Sequence, residues 1–112
     1  MDFSYLSRET FGDHRLEMDL LELFVAQARS LIPQLPNSPA HGEVVHLLKG
    51  SALAAGATRI AAAVEAYGHA PARARAADGN LYQEVVAAFQ QAEAAIEARL
   101  VLLREQSGDR AP

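Results

Sequence analysis

Val44-Val45-His46-Leu47-Leu48-Lys49-Gly50-Ser51-Ala52-Leu53-Ala54-Ala55-Gly56-Ala57 reads as a single helix. At about 100° of rotation per residue, Val44, Leu48, Ser51, Ala52 and Ala55 fall on one side, with Val45 and Leu47 flanking them. His46, Lys49, Gly50 and Leu53 gather on the opposite side. The first face is apolar and built of small residues, which suits close packing. The second carries an imidazole, an ammonium one turn on, a bare glycine and a lone leucine. A glycine inside a helix costs ~1 kcal/mol relative to alanine, and packing gives no reason for one here. Gly50 follows His46 at i+4 on the same face, where its missing side chain clears space beside the ring.

Beyond this stretch Gly56 ends or bends the helix. A second helix follows over about residues 57–70, with Ala57, Ile60, Ala61, Val64 and Tyr67 or Gly68 turned inward. Pro71 stops or kinks it. Residues 72–77 form one more helical turn or a loop, and Asp78-Gly79-Asn80 is a turn. Asn80 with Gln83 resembles a capping box. The longest helix covers about residues 81–105 and aligns Leu81, Val85, Phe89, Ala92, Ile96, Leu100 and Leu103 on one side. In the other direction, Pro36-Asn37-Ser38-Pro39 is a loop. Ser38 caps the His46 helix, which spans about residues 39–55, and Pro39 suits its first position. An earlier helix over about residues 14–35 starts at an Asp13 cap. Its stripe is Leu16, Leu20, Phe24, Ala28, Leu31 and Leu35, with Met18 and Val25 outside it. Pro33 loosens its last turn. A short opening helix over residues 2–10 offers Phe3, Tyr5 and Leu6 for packing. No strand and no internal repeat is evident. The predicted fold is all-α, an antiparallel four-helix bundle with a short extra N-terminal helix, its members crossing at ~20°. Residues 1–106 make one domain and residues 107–112 a flexible polar tail.

Composition narrows the function. A chain of 112 residues supports one core. A net charge of -4 argues against a nucleic-acid partner, which calls for a basic footprint. Arg73 and Arg75 form only a small basic cluster. The chain has no cysteine, so disulfides and thiolate metal sites are out, and a reducing cytoplasm fits. Residues 1–15 carry Asp2, Arg8, Glu9 and Asp13 with no apolar run, unlike a signal peptide. No stretch nears the ~20 apolar residues that span a membrane. His41 and His46 lie ~140° apart on a helix, wrong for a shared metal ion. No His-Glu-x-x-His and no glycine-rich phosphate loop occurs.

His46-Leu47-Leu48-Lys49-Gly50-Ser51, followed by Gly56-Ala57 and Ile60, resembles the signature of the histidine-containing phosphotransfer (HPt) domain. That pattern reads roughly His-x-Leu-Lys-Gly-Ser-Ser/Ala, then Gly-Ala/Leu, then an aliphatic residue. The helical layout extends the likeness over nearly the whole chain. The resemblance implies a phosphorelay protein. His46 would accept a phosphoryl group from the aspartyl phosphate of a response-regulator receiver domain and pass it to another receiver, with a hybrid histidine kinase as a further partner. No cofactor belongs to this chain, since Mg²⁺ resides in the receiver. The protein is expected to work as a cytoplasmic monomer, with no nucleic acid or membrane partner.

The residues support such roles chemically. A neutral imidazole leaves one ring nitrogen free to attack phosphorus. Lys49, the chain's single lysine, is placed to offset charge on the phosphoryl oxygens. Gly50 gives clearance, and Leu53 offers a contact for the partner. Ser51 and Ala52 face the core and serve packing. Two positions depart from the family. Val45 replaces the common alanine before the histidine. Gly68 stands where the family often has Glu or Gln hydrogen-bonded to the imidazole, so His69, Tyr67, a water or nothing takes that role. Two rival readings remain: a bundle that binds a receiver or kinase without phosphotransfer, and a structural bundle that dimerises through its last helix.

Overall fold

Asp2 and Asp13 each precede a helix and turn a carboxylate back onto its first turn. Asp2 accepts from the backbone N–H of Tyr5 at 2.9 Å, and Asp13 accepts from that of Leu16 at 3.1 Å. Each satisfies an N–H that the helix itself leaves unpaired. The two helices they open are α1 (Phe3–Glu9) and α2 (His14–Leu31) in a computed structural model that describes residues 1–36, 41–76 and 79–106. Pro33 acts as its missing N–H requires: α2 gives way to a 3₁₀ turn over Ile32–Gln34. There follow α3 (His41–Ala54), α4 (Thr58–His69), α5 (Ala72–Ala76) and α6 (Asn80–Gln106). Most of the described residues are helical, and none is in a strand. Within the stretch readable as either a turn of helix or a loop, Ala72–Ala76 form α5. The expected Ser38 cap, Pro39 and the polar tail lie outside the described residues. Asn80 is not the cap that the capping-box reading expects: Gln83 N–H donates to the carbonyl of Gly79 at 2.8 Å, so Asn80 is already inside α6.

Gly56 closes α3. Its φ of +75° is open to glycine at little cost, and an added Cβ would lie 2.8 Å from the carbonyl oxygen of Asp2. The Ala57 N–H reaches back to the Ala52 carbonyl at 2.7 Å, the six-to-one bond of a Schellman ending. The Gly56 carbonyl in turn accepts from the Asp2 N–H at 2.8 Å, tying the start of the chain to the end of α3.

α2 packs against α3, α3 against α4, α4 against α6, and α6 back against α2. These four helices supply most of the buried apolar side chains, among them Leu21, Phe24, Leu48, Ala52, Ile60, Val64, Val85 and Ile96. Interhelix pairs set directions. Glu17 and Arg29 of α2 meet Arg99 and Glu93 of α6 in reversed order, so these two helices run antiparallel. Lys49 meets Glu65, and Val45 meets Gly68, so α3 and α4 do the same.

The α6 stripe is buried much as its periodicity indicates, with Leu81 and Leu100 at its edges. The α2 stripe is not. Leu16 and Leu20 are exposed, whereas Met18 is buried and Val25 packs at the edge of the core. The face that turns inward carries Glu17, Leu21, Phe24 and Ala28. Leucines at 16, 20, 21 and 23 leave the periodicity with two possible phases. The phase adopted brings the Glu17 carboxylate, 1% exposed, onto Arg99 through bonds of 2.7 and 3.1 Å. This bidentate hydrogen bonding raises the Arg99 pKa above the ordinary arginine value.

Candidate functional site

α3 is the element that presents the site. Its inward residues Val44, Leu48 and Ala52 are buried, which fixes the rotation of the helix and turns His46, Gly50 and Leu53 to solvent. An added Cβ at Gly50 would meet no atom within 4 Å. Nothing among the described residues therefore requires glycine there, and the cleared surface beside His46 is open from outside. Leu53 is 48% exposed. Among the described residues the His46 imidazole has no hydrogen-bonding or ionic partner.

Lys49 shares this face, is partly exposed and leans toward α4. Its Nζ lies 3.2 Å from Oε1 of Glu65. His69, one turn further along α4, places its Nε2 3.6 Å from the same oxygen. Glu65 carries no signal in the sequence, being one surface glutamate among many. Only the packing of α4 on α3 brings it to the lysine.

The two departures from the motif meet in space. A Cβ at Gly68 would stand 2.7 Å from Cγ1 of Val45. The valine methyls occupy the room that any side chain at 68 would need, so α4 can approach α3 at this point only with glycine. Of the replacements considered for an imidazole partner, Tyr67 is turned into the core. Its ring meets those of His41 and Tyr82 edge-on at 6.2 and 6.5 Å, and burial raises its pKa. His69 is exposed and directed at Glu65.

Beside His46 the seam between α2 and α3 forms an open groove of about 380 Å³, lined by Ala26, Gln27, Ser30 and Leu31 on one side and Leu47 and Ser51 on the other. Ser51, assigned by the sequence to packing alone, also donates its hydroxyl hydrogen to Oε1 of Gln27 at 3.1 Å. Leu47 is 56% exposed, and Leu16, Leu20 and Leu23 continue an apolar outer stripe along α2. Among the described residues no three His, Cys, Asp or Glu side chains converge as a metal site, and no helix is long and apolar enough to cross a membrane. Set against known proteins, the chain matches no protein-family model, no curated protein and no solved structure.

Proposed function

We propose that the chain is a histidine phosphotransfer protein that carries a phosphoryl group on His46 between receiver domains of a cytoplasmic phosphorelay. The observation that carries this reading is an exposed imidazole at mid-helix, without a partner among the described residues, flanked by the vacant surface at Gly50 and by a lysine one turn on. In the forward step a ring nitrogen of neutral His46 attacks the phosphorus of an aspartyl phosphate. The N–P bond forms as the P–O bond breaks, the carboxylate leaves with the bonding pair, and the remaining ring proton passes to water. The receiver's acidic pocket and its Mg²⁺ supply the charge stabilisation on their side. Here Lys49 serves the phosphoryl oxygens, and Gly50 admits the receiver. Leu53, Leu47 and the groove beside them offer apolar contact of the modest area suited to a transient partner. The closed ring of α2, α3, α4 and α6, with its antiparallel pairs, supports an antiparallel four-helix bundle holding α3 rigid. Function as a monomer belongs to the same reading.

Incubation with a panel of phosphorylated receivers tests it. The expected product is an acid-labile, base-stable label on the wild-type chain. His46→Gln should abolish this label while moving stability by less than ~0.5 kcal/mol, since an exposed position supports no core contact. His14→Gln and His69→Gln combined should retain it. Label persisting in His46→Gln refutes the assignment.

One observation favours a second reading, in which the protein binds a receiver or kinase without phosphotransfer. Lys49 is engaged by Glu65, and the imidazole has no orienting partner among the described residues, whereas the apolar surface is present regardless. Receiver binding without label from any donor would establish it.

A further inference from the structure

Resting on the phosphotransfer reading, we infer that Glu65 is a positioning residue that competes with the phosphoryl group on His46 for the Lys49 ammonium. Three observations converge. Lys49 is the single lysine of the chain and lies one turn from His46 on the same helix. Its Nζ is 3.2 Å from Glu65 Oε1, so the charge meant for the phosphoryl oxygens is held by α4 while His46 is unmodified. Both side chains are substantially exposed, at 37% and 48%, so water screens the pair and exchange of partners is inexpensive.

The carboxylate has company when the ammonium leaves. His69 Nε2 lies 3.6 Å from the same oxygen, four residues along the same helix. Gly68 and Val45 fix the spacing of the two helices directly beneath, because no side chain at 68 can separate them. Glu65 is thus held within reach of Lys49 by packing rather than by the ion pair itself. A phosphoryl group carries about two negative charges to the single charge of a carboxylate. Arrival of the group at His46 therefore draws Lys49 across, and its departure returns Lys49 to Glu65. The carboxylate lowers the affinity of the histidine for phosphate and favours handing the group on.

Phosphorylation by phosphoramidate isolates this effect from any receiver. The ring nitrogen attacks phosphorus, the P–N bond of the donor breaks, and ammonia leaves with the bonding pair and the ring proton. With ammonia present the reaction comes to equilibrium, and ³¹P NMR gives the phosphorylated fraction of His46 in wild type, Glu65→Gln, Lys49→Ala and the double variant. Glu65→Gln should raise the equilibrium constant about threefold, the scale of one exposed ion pair. Lys49→Ala should lower it, and Glu65→Gln should add nothing once Lys49 is gone. A purely structural Glu65 would alter the melting temperature without this dependence on Lys49. An unchanged or lowered constant in Glu65→Gln, or an equal rise in the Lys49→Ala background, overturns the inference alone. A wild-type chain that takes no label on His46 overturns the phosphotransfer reading and this inference with it.

Discussion

Two carboxylates bridge helices in this molecule from opposite environments. Glu17 of α2 is 1% exposed and grips Arg99 of α6 with two hydrogen bonds. Glu65 of α4 is about half exposed and meets Lys49 of α3 through one oxygen at 3.2 Å. The residue types are nearly the same, but the consequences differ. Inside the core a carboxylate stripped of water depends on its partner, and the fork of an arginine satisfies both oxygens in one geometry. At the surface water competes with the lysine at little cost, so the pair can open without strain. The seam between α2 and α6 is built to stay, and the seam between α3 and α4 is built so that one of its charges can leave.

Truncating the cations is the most direct way to break this contrast. Arg99→Ala strands the Glu17 carboxylate and should cost about 3 kcal/mol in urea unfolding, the lower end for a buried pair because the guanidinium is partly solvated. Lys49→Ala should cost less than ~0.5 kcal/mol in the same measurement. Equal losses would show that burial does not separate the two pairs.

The two glycines of the α3–α4 region sharpen the contrast at smaller scale. Gly68→Ala gains the helix preference of alanine but drives a Cβ to 2.7 Å from Cγ1 of Val45. Valine is stiff at χ1 and yields poorly. Overpacking should outweigh propensity, for a net loss of about 1 kcal/mol. In a Val45→Ala background the sign of Gly68→Ala should reverse. A loss that persists there would place the strain elsewhere.

Gly50→Ala should differ from Gly68→Ala in sign. Its Cβ enters open space, so stability should rise by about 0.5–1 kcal/mol. Thermal unfolding of the two single variants side by side reads the difference. A loss at Gly50 would mean that the glycine serves the fold rather than a visitor.

Much of the fold was legible because its signals are local. Asp13 caps its helix through a bond three residues long, and Pro33 and Gly56 act on the turns that contain them. The outward face of α3 could be read for the same reason: small apolar residues at helical spacing leave only one side to bury, and His46 and Gly50 lie opposite. The reading failed on α2, where leucines surround the helix and hydrophobicity alone does not choose a phase. It also misplaced Met18, which the chosen rotation carries into the core.

The sequence by itself determined that the chain is helical, where its main helices break, and which face of α3 carries His46, Lys49, Gly50 and Leu53. Tertiary structure alone decided the rotation of α2 and the pairing of Glu17 with Arg99, 82 residues away. It alone decided that Val45 fills the space of a side chain missing at 68, and that Lys49 rests on Glu65. The division has one physical cause. Caps, breaks and faces are settled within a turn or two of one helix, where each residue's neighbours are its neighbours in sequence. Partners across a seam depend on how two helices rotate and approach, and the shapes and charges of both surfaces set that together.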